Sequence, residues 1–149
     1  MSAENAENTE IDITQYAIIN KIGEGSFSNV YLVKNLITEE KYAAKVSKFM
    51  INEENKDNPQ TLSLFREVNL MSLLNHPSVL KFVGFYPTNF ENEPLPTIIT
   101  EFAISGSLRD IIKLDSKGLS PDDWTFTKKL INIYGIASGM TYLHANKII

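Results

Sequence analysis

Through the first hundred positions, short runs in which every second residue is apolar are separated by polar breaks rich in Asn and Pro. Over 59–74, and again beyond the first hundred, the apolar spacing lengthens to three and four. Period two marks a strand with one buried face, and a mix of three and four marks a helix. The alternation predicts strands at "YAIINKI" (16–22), "VYLV" (30–33), "EKYAAKVSKF" (40–49), "VLKFVGFY" (79–86) and "PTIITEF" (96–102). Asn58 followed by Pro59 is a helix start, because Asn caps free N–H groups and Pro tolerates the first helical position. It opens a helix over 59–74, which Asn75, His76 and Pro77 end. Ser105 and Gly106 break the last strand, and 107–114 reads as a short helix. Ser120, Pro121, Asp122 and Asp123 form a helix-start signal for a long helix over 124–145, where Leu130, Ile133, Ala137, Met140 and His144 keep helical spacing. Residues 147–149 read as the start of another strand. The hairpin around Gly23 and the helix from Pro59 lead to an expected α+β fold class: a five-stranded antiparallel sheet with one helix, then helices alone.

Composition narrows the function. The chain has 149 residues, 43% hydrophobic and 21% charged, enough for a domain with a real core. Its net charge of −4 argues against general affinity for nucleic acid or an acidic membrane surface. It has no cysteine, which excludes disulfides and thiolate metal sites and fits cytoplasmic residence. Two histidines, His76 and His144, are too few for a histidine metal cluster, so no metal ligand is assigned. No apolar run reaches membrane-spanning length. The polar, acidic residues 1–12 read as a disordered tail.

The chemistry starts at Gly23-Glu24-Gly25-Ser26-Phe27-Ser28. Three phosphate-cradling loops look like this, and their flanks separate them. A dinucleotide-binding loop leads into a helix, and a Walker loop ends in G-K-S/T. Here a strand stands on either side, which fits a lid laid over phosphates between antiparallel strands. Ser28 replaces the last glycine of G-x-G-x-x-G, and its small side chain still allows close backbone approach. In the third strand Ala43 and Lys45 share a face, leaving a slot for a flat ring with a cation at one end. A lone strand lysine more often lies in solvent. On the 59–74 helix, Leu64, Glu67, Met71 and Leu74 form one stripe, and a carboxylate in such a stripe needs a partner or an edge position in water. Lys45 is the partner expected for Glu67. At the end of the fifth strand, over residues 100–103, freed main-chain groups can hydrogen-bond a purine edge, as they can at the end of any strand.

In this order, "GEGSFSNV", "YAAKV", "FREVNLMSLLNHPSVLKFVGF", "ITEFAISGSLRDII" and "GIASGMTYLH" resemble the eukaryotic protein kinase family across residues 14–149. The stretch Phe65-Arg66-Glu67-Val68 and the Gly106-Ser107-Leu108 turn are most similar to the tyrosine-kinase-like group, which mostly phosphorylates Ser and Thr. The resemblance implies an amino lobe and hinge over 13–103 and the start of a helical carboxyl lobe over 104–149. It implies that the backbone of Gly23, Glu24, Gly25, Ser26, Phe27 and Ser28 covers the phosphates of ATP. Lys45 would bind the α- and β-phosphates, with Glu67 positioning it. Ile22, Val30, Ala43 and Leu108 would sandwich the adenine, and the Glu101 carbonyl and Ala103 amide would read its edge. Thr100 would be the gatekeeper, and Met71 and Phe82 would join the apolar column that aligns the lobes.

The family's catalytic loop, with its Asp base and an Asn magnesium ligand, would begin after Ile149, and the D-F-G motif later. The resemblance therefore implies ATP and Mg2+ as cofactors of a complete kinase, with the Mg2+ ligands and the base outside these 149 residues. The expected activity is ATP-dependent phosphorylation of protein Ser/Thr, carried here by its ATP-binding portion and inactive in that portion alone. The alternative is a non-catalytic module that holds nucleotide or docks on another kinase. A partner covering the apolar faces of the long helix is a further expectation.

Overall fold

The computed structural model describes residues 9–52 and 54–148. Five strands form one antiparallel sheet: β1 (Tyr16–Glu24), β2 (Ser28–Asn35), β3 (Lys41–Ser47), β4 (Phe82–Tyr86) and β5 (Thr97–Glu101). Their order across the sheet is β1-β2-β3-β5-β4. Three helices complete the described chain: α1 (Pro59–Leu73), α2 (Leu108–Asp115) and α3 (Phe126–Ala145). The chain divides into two compact units. One holds the sheet and α1 and runs to Phe102, apart from residues 76–79; the other holds residues 76–79 and those from Ala103 on.

In the sheet unit, strand alternation sorts side chains onto two faces. On one face Val33, Ala44 and Ile99, all fully buried, form a cluster with Ile11, Tyr16, Tyr31, Tyr42, Val83 and Phe90 around it. On the other, Ile98 and Phe85 meet Val68 of α1, flanked by Leu64, Phe65, Met71 and Phe82. The Asn58 side chain accepts from Gln60 N–H, and Pro59 stands at the first helical position. The helix stripe is centred differently from the sequence reading. Val68, 1% exposed, is its middle, with Thr61 buried one turn earlier, while Glu67 lies at the border. Leu74 is the residue that ends the helix.

Three boundaries move. β4 starts at Phe82 rather than residue 79, because the Val79 N–H turns back to the His76 carbonyl. α3 starts at Phe126 rather than residue 124. The Thr125 hydroxyl caps it, and a turn from Pro121 to Trp124 uses up the residues of the expected start signal. Lys147 and Ile148 form no strand: Lys147 has φ 58°, and the Ile148 N–H bonds back to the Leu143 carbonyl. Ile149 lies outside the described residues.

Residues 9–12, read from sequence as tail, are ordered against the sheet. The Ile11 N–H donates to the Phe85 carbonyl at 3.0 Å, and Asp12 caps a 3-10 turn at Ile13–Gln15 whose Ile13 is buried. Residues 1–8 of that expected tail lie outside the described residues.

In the second unit, the Ser107 hydroxyl caps α2, and Asp115 at its end pairs with Lys129 of α3 at 2.7 Å. Gly139 of α3 lets residue 78 approach: a Cβ there would stand 3.1 Å from the Ser78 carbonyl oxygen. His76 fixes the same loop, accepting from Ser78 N–H at Nδ1 and stacking on Tyr142 at 4.9 Å. Among the described residues, no helix is long and apolar enough to cross a membrane.

Candidate nucleotide-binding site

The register of the sheet sets out the site. Val30 is opposite Lys45, which is opposite Ile98; Leu32 is opposite Ala43, which is opposite Thr100. Directly opposed residues share a face, so Val30, Ala43, Lys45 and Thr100 all stand on the face that carries α1. Gly23 pairs with Val30 and brings the lid to the same place. Ile22 falls in a bulge between Lys21 and Gly23 and is 43% exposed.

Lys45 Nζ donates to Glu67 Oε1 at 2.5 Å. Both side chains are 39% exposed, so the carboxylate has an edge position and a partner at once. The pair lines a cavity of about 310 Å3 with Phe27 and Ser28 of the lid, Ser47 and Phe49 after Lys45, and Pro59, Gln60, Ser63 and Leu64 of α1.

The lid turns where Gly25 N–H donates to the Ser28 carbonyl at 2.8 Å. Among the described residues, no close contact demands its glycines. A Cβ on Gly23 would meet Val30 Cβ at 3.5 Å, one on Gly25 would meet the Ser28 oxygen at 3.7 Å, and neither residue has positive φ. These are ordinary contacts, so the bare backbone leaves room for something outside the chain.

Two lysines hold the lid, and sequence reasoning missed their part. Glu24 Oε2 accepts from Lys21 at 2.6 Å, and Glu24 Oε1 accepts from Lys48 at 2.8 Å. Lys48 Nζ also donates to the Gly25 carbonyl at 2.9 Å, and its backbone N–H donates to the Phe27 carbonyl at 2.9 Å. Phe27 and Phe49 rings lie 5.9 Å apart. The Lys21 hydrogen bond, then that from Lys48, lowers the Glu24 carboxyl to about 2. Their positions, one just before the lid and one three residues past Lys45, do not by themselves signal this.

Thr100 is buried, and its hydroxyl donates to the Glu101 carbonyl at 3.1 Å. Glu101 accepts at Oε1 from the Lys81 N–H, so its side chain is turned to its neighbour strand. Met71 and Phe82 both pack on the Val68, Phe85 and Ile98 cluster. Ser26 sits exposed at the lid tip. Ala103 and Leu108 belong to the second unit: the Ala103 carbonyl accepts from Gly106 N–H, and Leu108 opens α2.

The sequence profile described as "Protein kinase domain" matches residues 16–149. This chain belongs to the protein kinase family. Among curated kinases, it is 35% identical over 124 residues to the dual specificity testis-specific protein kinase 2 of Rattus norvegicus, covering 83% of this chain and 19% of that one. It is 33% identical over 131 residues to the inhibitor of nuclear factor kappa-B kinase subunit alpha of Danio rerio, covering 87% of this chain and 16% of that one. It is 26% identical over 132 residues to serine/threonine-protein kinase 1 of Arabidopsis thaliana, covering 89% of this chain and 14% of that one. The chain thus spans less than a fifth of each of these three kinases. The kinase family uses ATP and Mg2+. Among the described residues, no group of three or more His, Cys, Asp or Glu is placed to hold a metal ion. The donors gathered here, the Lys45 ammonium and the lid's backbone, are of the kind that suits an anionic group.

Proposed function

We propose that this chain is the ATP-binding portion of a protein kinase domain, of the tyrosine-kinase-like group, that acts on protein Ser or Thr. The observation that carries the reading is the Lys45–Glu67 pair at 2.5 Å, beside a lid whose glycines no contact among the described residues requires. An ammonium held by a carboxylate stays in place as phosphate oxygens arrive, and it keeps donors free for them. The lid's backbone passes close over those oxygens without side chains in the way. Val30 and Ala43 on the same face leave an apolar floor for the adenine, with Ile22 beside the lid. The Glu101 carbonyl takes the purine edge, and the small Thr100 leaves depth behind it. Dual-specificity and Ser/Thr names among the similar kinases support the hydroxyl-bearing protein substrate.

Calorimetric titration of the chain with ATP, adenosine and inorganic triphosphate tests this reading. Saturable ATP binding that Lys45→Met weakens at least tenfold is expected, with adenosine affected far less. No binding of either ATP or adenosine would overturn it. A transfer assay on the same sample addresses the alternative. ATP binding without phosphorylation of any protein fits both the binding portion alone and a non-catalytic module; transfer that depends on Lys45 excludes the module.

A further inference from the structure

The β4 edge of the sheet is closed by residues that precede the family match, which begins at residue 16. Glu10 makes a parallel bridge to Phe85, and the Ile11 N–H donates to the Phe85 carbonyl at 3.0 Å. Gly84 makes the approach possible. A Cβ there would lie 2.1 Å from Ile11 Cγ2 and 3.0 Å from the Thr9 carbonyl oxygen, the first of which no packing tolerates. The Ile11 side chain also packs on the buried Val33, Ala44 and Ile99 cluster. An open edge strand gains by such cover, since its free N–H and C=O groups otherwise invite other chains.

Phe85 relates this edge to the site. Its main chain holds Ile11, while its ring lies 6.0 Å from that of Phe65 and packs in the cluster with Val68. Phe65 and Val68 flank Glu67 on α1, and Glu67 holds Lys45. Packed side chains transmit displacement because interiors have little free volume.

We propose that residues 9–11 form a positioning strap, in which Ile11 seated on Gly84 fixes β4 and, through Phe85, Phe65 and Val68, sets α1 so that Glu67 meets Lys45. Ile11 acts through these residues and is not itself a catalytic residue. The strap rests on the kinase reading only for what the Lys45–Glu67 pair then does; the mechanical coupling is independent of it.

Hydrogen exchange on the 149-residue chain without nucleotide tests the coupling, so its outcome is separate from that of the ATP titration. Ile11→Ala should raise exchange along residues 59–73 by about twofold or more, the lower range of coupling carried through packed side chains. Ile11→Val should restore it. Val33→Ala thins the same outer cluster without vacating the Gly84 notch, and after matching for loss of thermal stability it should leave 59–73 protected. Gly84→Ala should be more damaging with Ile11 present than in the Ile11→Ala background. Protection of 59–73 unchanged in Ile11→Ala, an equal rise in Val33→Ala, or additive effects of Ile11→Ala and Gly84→Ala would each overturn the proposal.

Discussion

Lys45 Nζ and Glu67 Oε1 stand 2.5 Å apart, one on the central strand β3 and the other on α1. Their exposure decides what the pair is for. At 39% exposure each, a surface-like ion pair adds only about 0.2–1 kcal/mol to stability. A hydrogen bond from a fixed ammonium to a phosphate oxygen is worth about 1.5–3 kcal/mol. Lys45→Met should therefore leave the unfolding free energy within about 1 kcal/mol of the parent, and it should weaken ATP binding roughly tenfold to a hundredfold. Glu67→Gln should show the same split with a smaller loss. Denaturant melts paired with titrations check this; a large stability loss with unchanged binding would make the pair a structural feature only.

The lid carries its own pH signature. Lys21 and then Lys48 hydrogen-bond Glu24 and lower its carboxyl from the ordinary 4.5 to about 2. A lowered folded-state value means that the latch contributes fully above about pH 4.5 and is lost as pH falls toward about 2. A carboxyl carbon NMR titration should place the Glu24 midpoint well under the ordinary value. Lys48→Ala should move it up and speed exchange of the amides of residues 25–28. Because the groups are exposed, molar salt should do much the same. A wild-type midpoint near 4.5 would remove the latch.

Much of this was legible in the sequence because period two and period three-to-four report burial directly. Ala43 and Lys45 share a face by parity alone, and the register bears that out with Val30 and Thr100 alongside. Asn58 and Pro59 start α1 where local chemistry says they must. The misses were tertiary. Nothing in the largely polar residues 9–12 reveals that Gly84, far along the chain, has the notch for Ile11. The helix stripe was drawn through Glu67 because its spacing fitted Leu64 and Met71, whereas the buried line runs through Thr61 and Val68. Lys48 carries no signal of its own in the sequence, because its link to the lid is made only by the folded chain.

Helix α3 presents large apolar side chains on several sides: Ile131 is 62% exposed, Ile133 63% and Tyr134 76%. An exposed aliphatic side chain forgoes about 1.5–3 kcal/mol of burial, and contiguous apolar surface drives association. The 149-residue chain should self-associate as its concentration rises, and Ile131→Glu with Ile133→Lys should reduce that association. Light scattering over a concentration series decides it. A monodisperse monomer at every concentration would contradict the prediction.

The central claim is that Lys45 meets the phosphates of ATP beneath the glycine lid, and its own reactivity tests that most directly. The chain is treated with an amine-acylating reagent with and without saturating ATP, and each lysine is followed by mass spectrometry. The account predicts strong protection of Lys45 by ATP, weaker protection by adenosine, and no protection of Lys34, which is paired with Glu39. Equal labelling of Lys45 with and without ATP, at concentrations where ATP is bound, would contradict it.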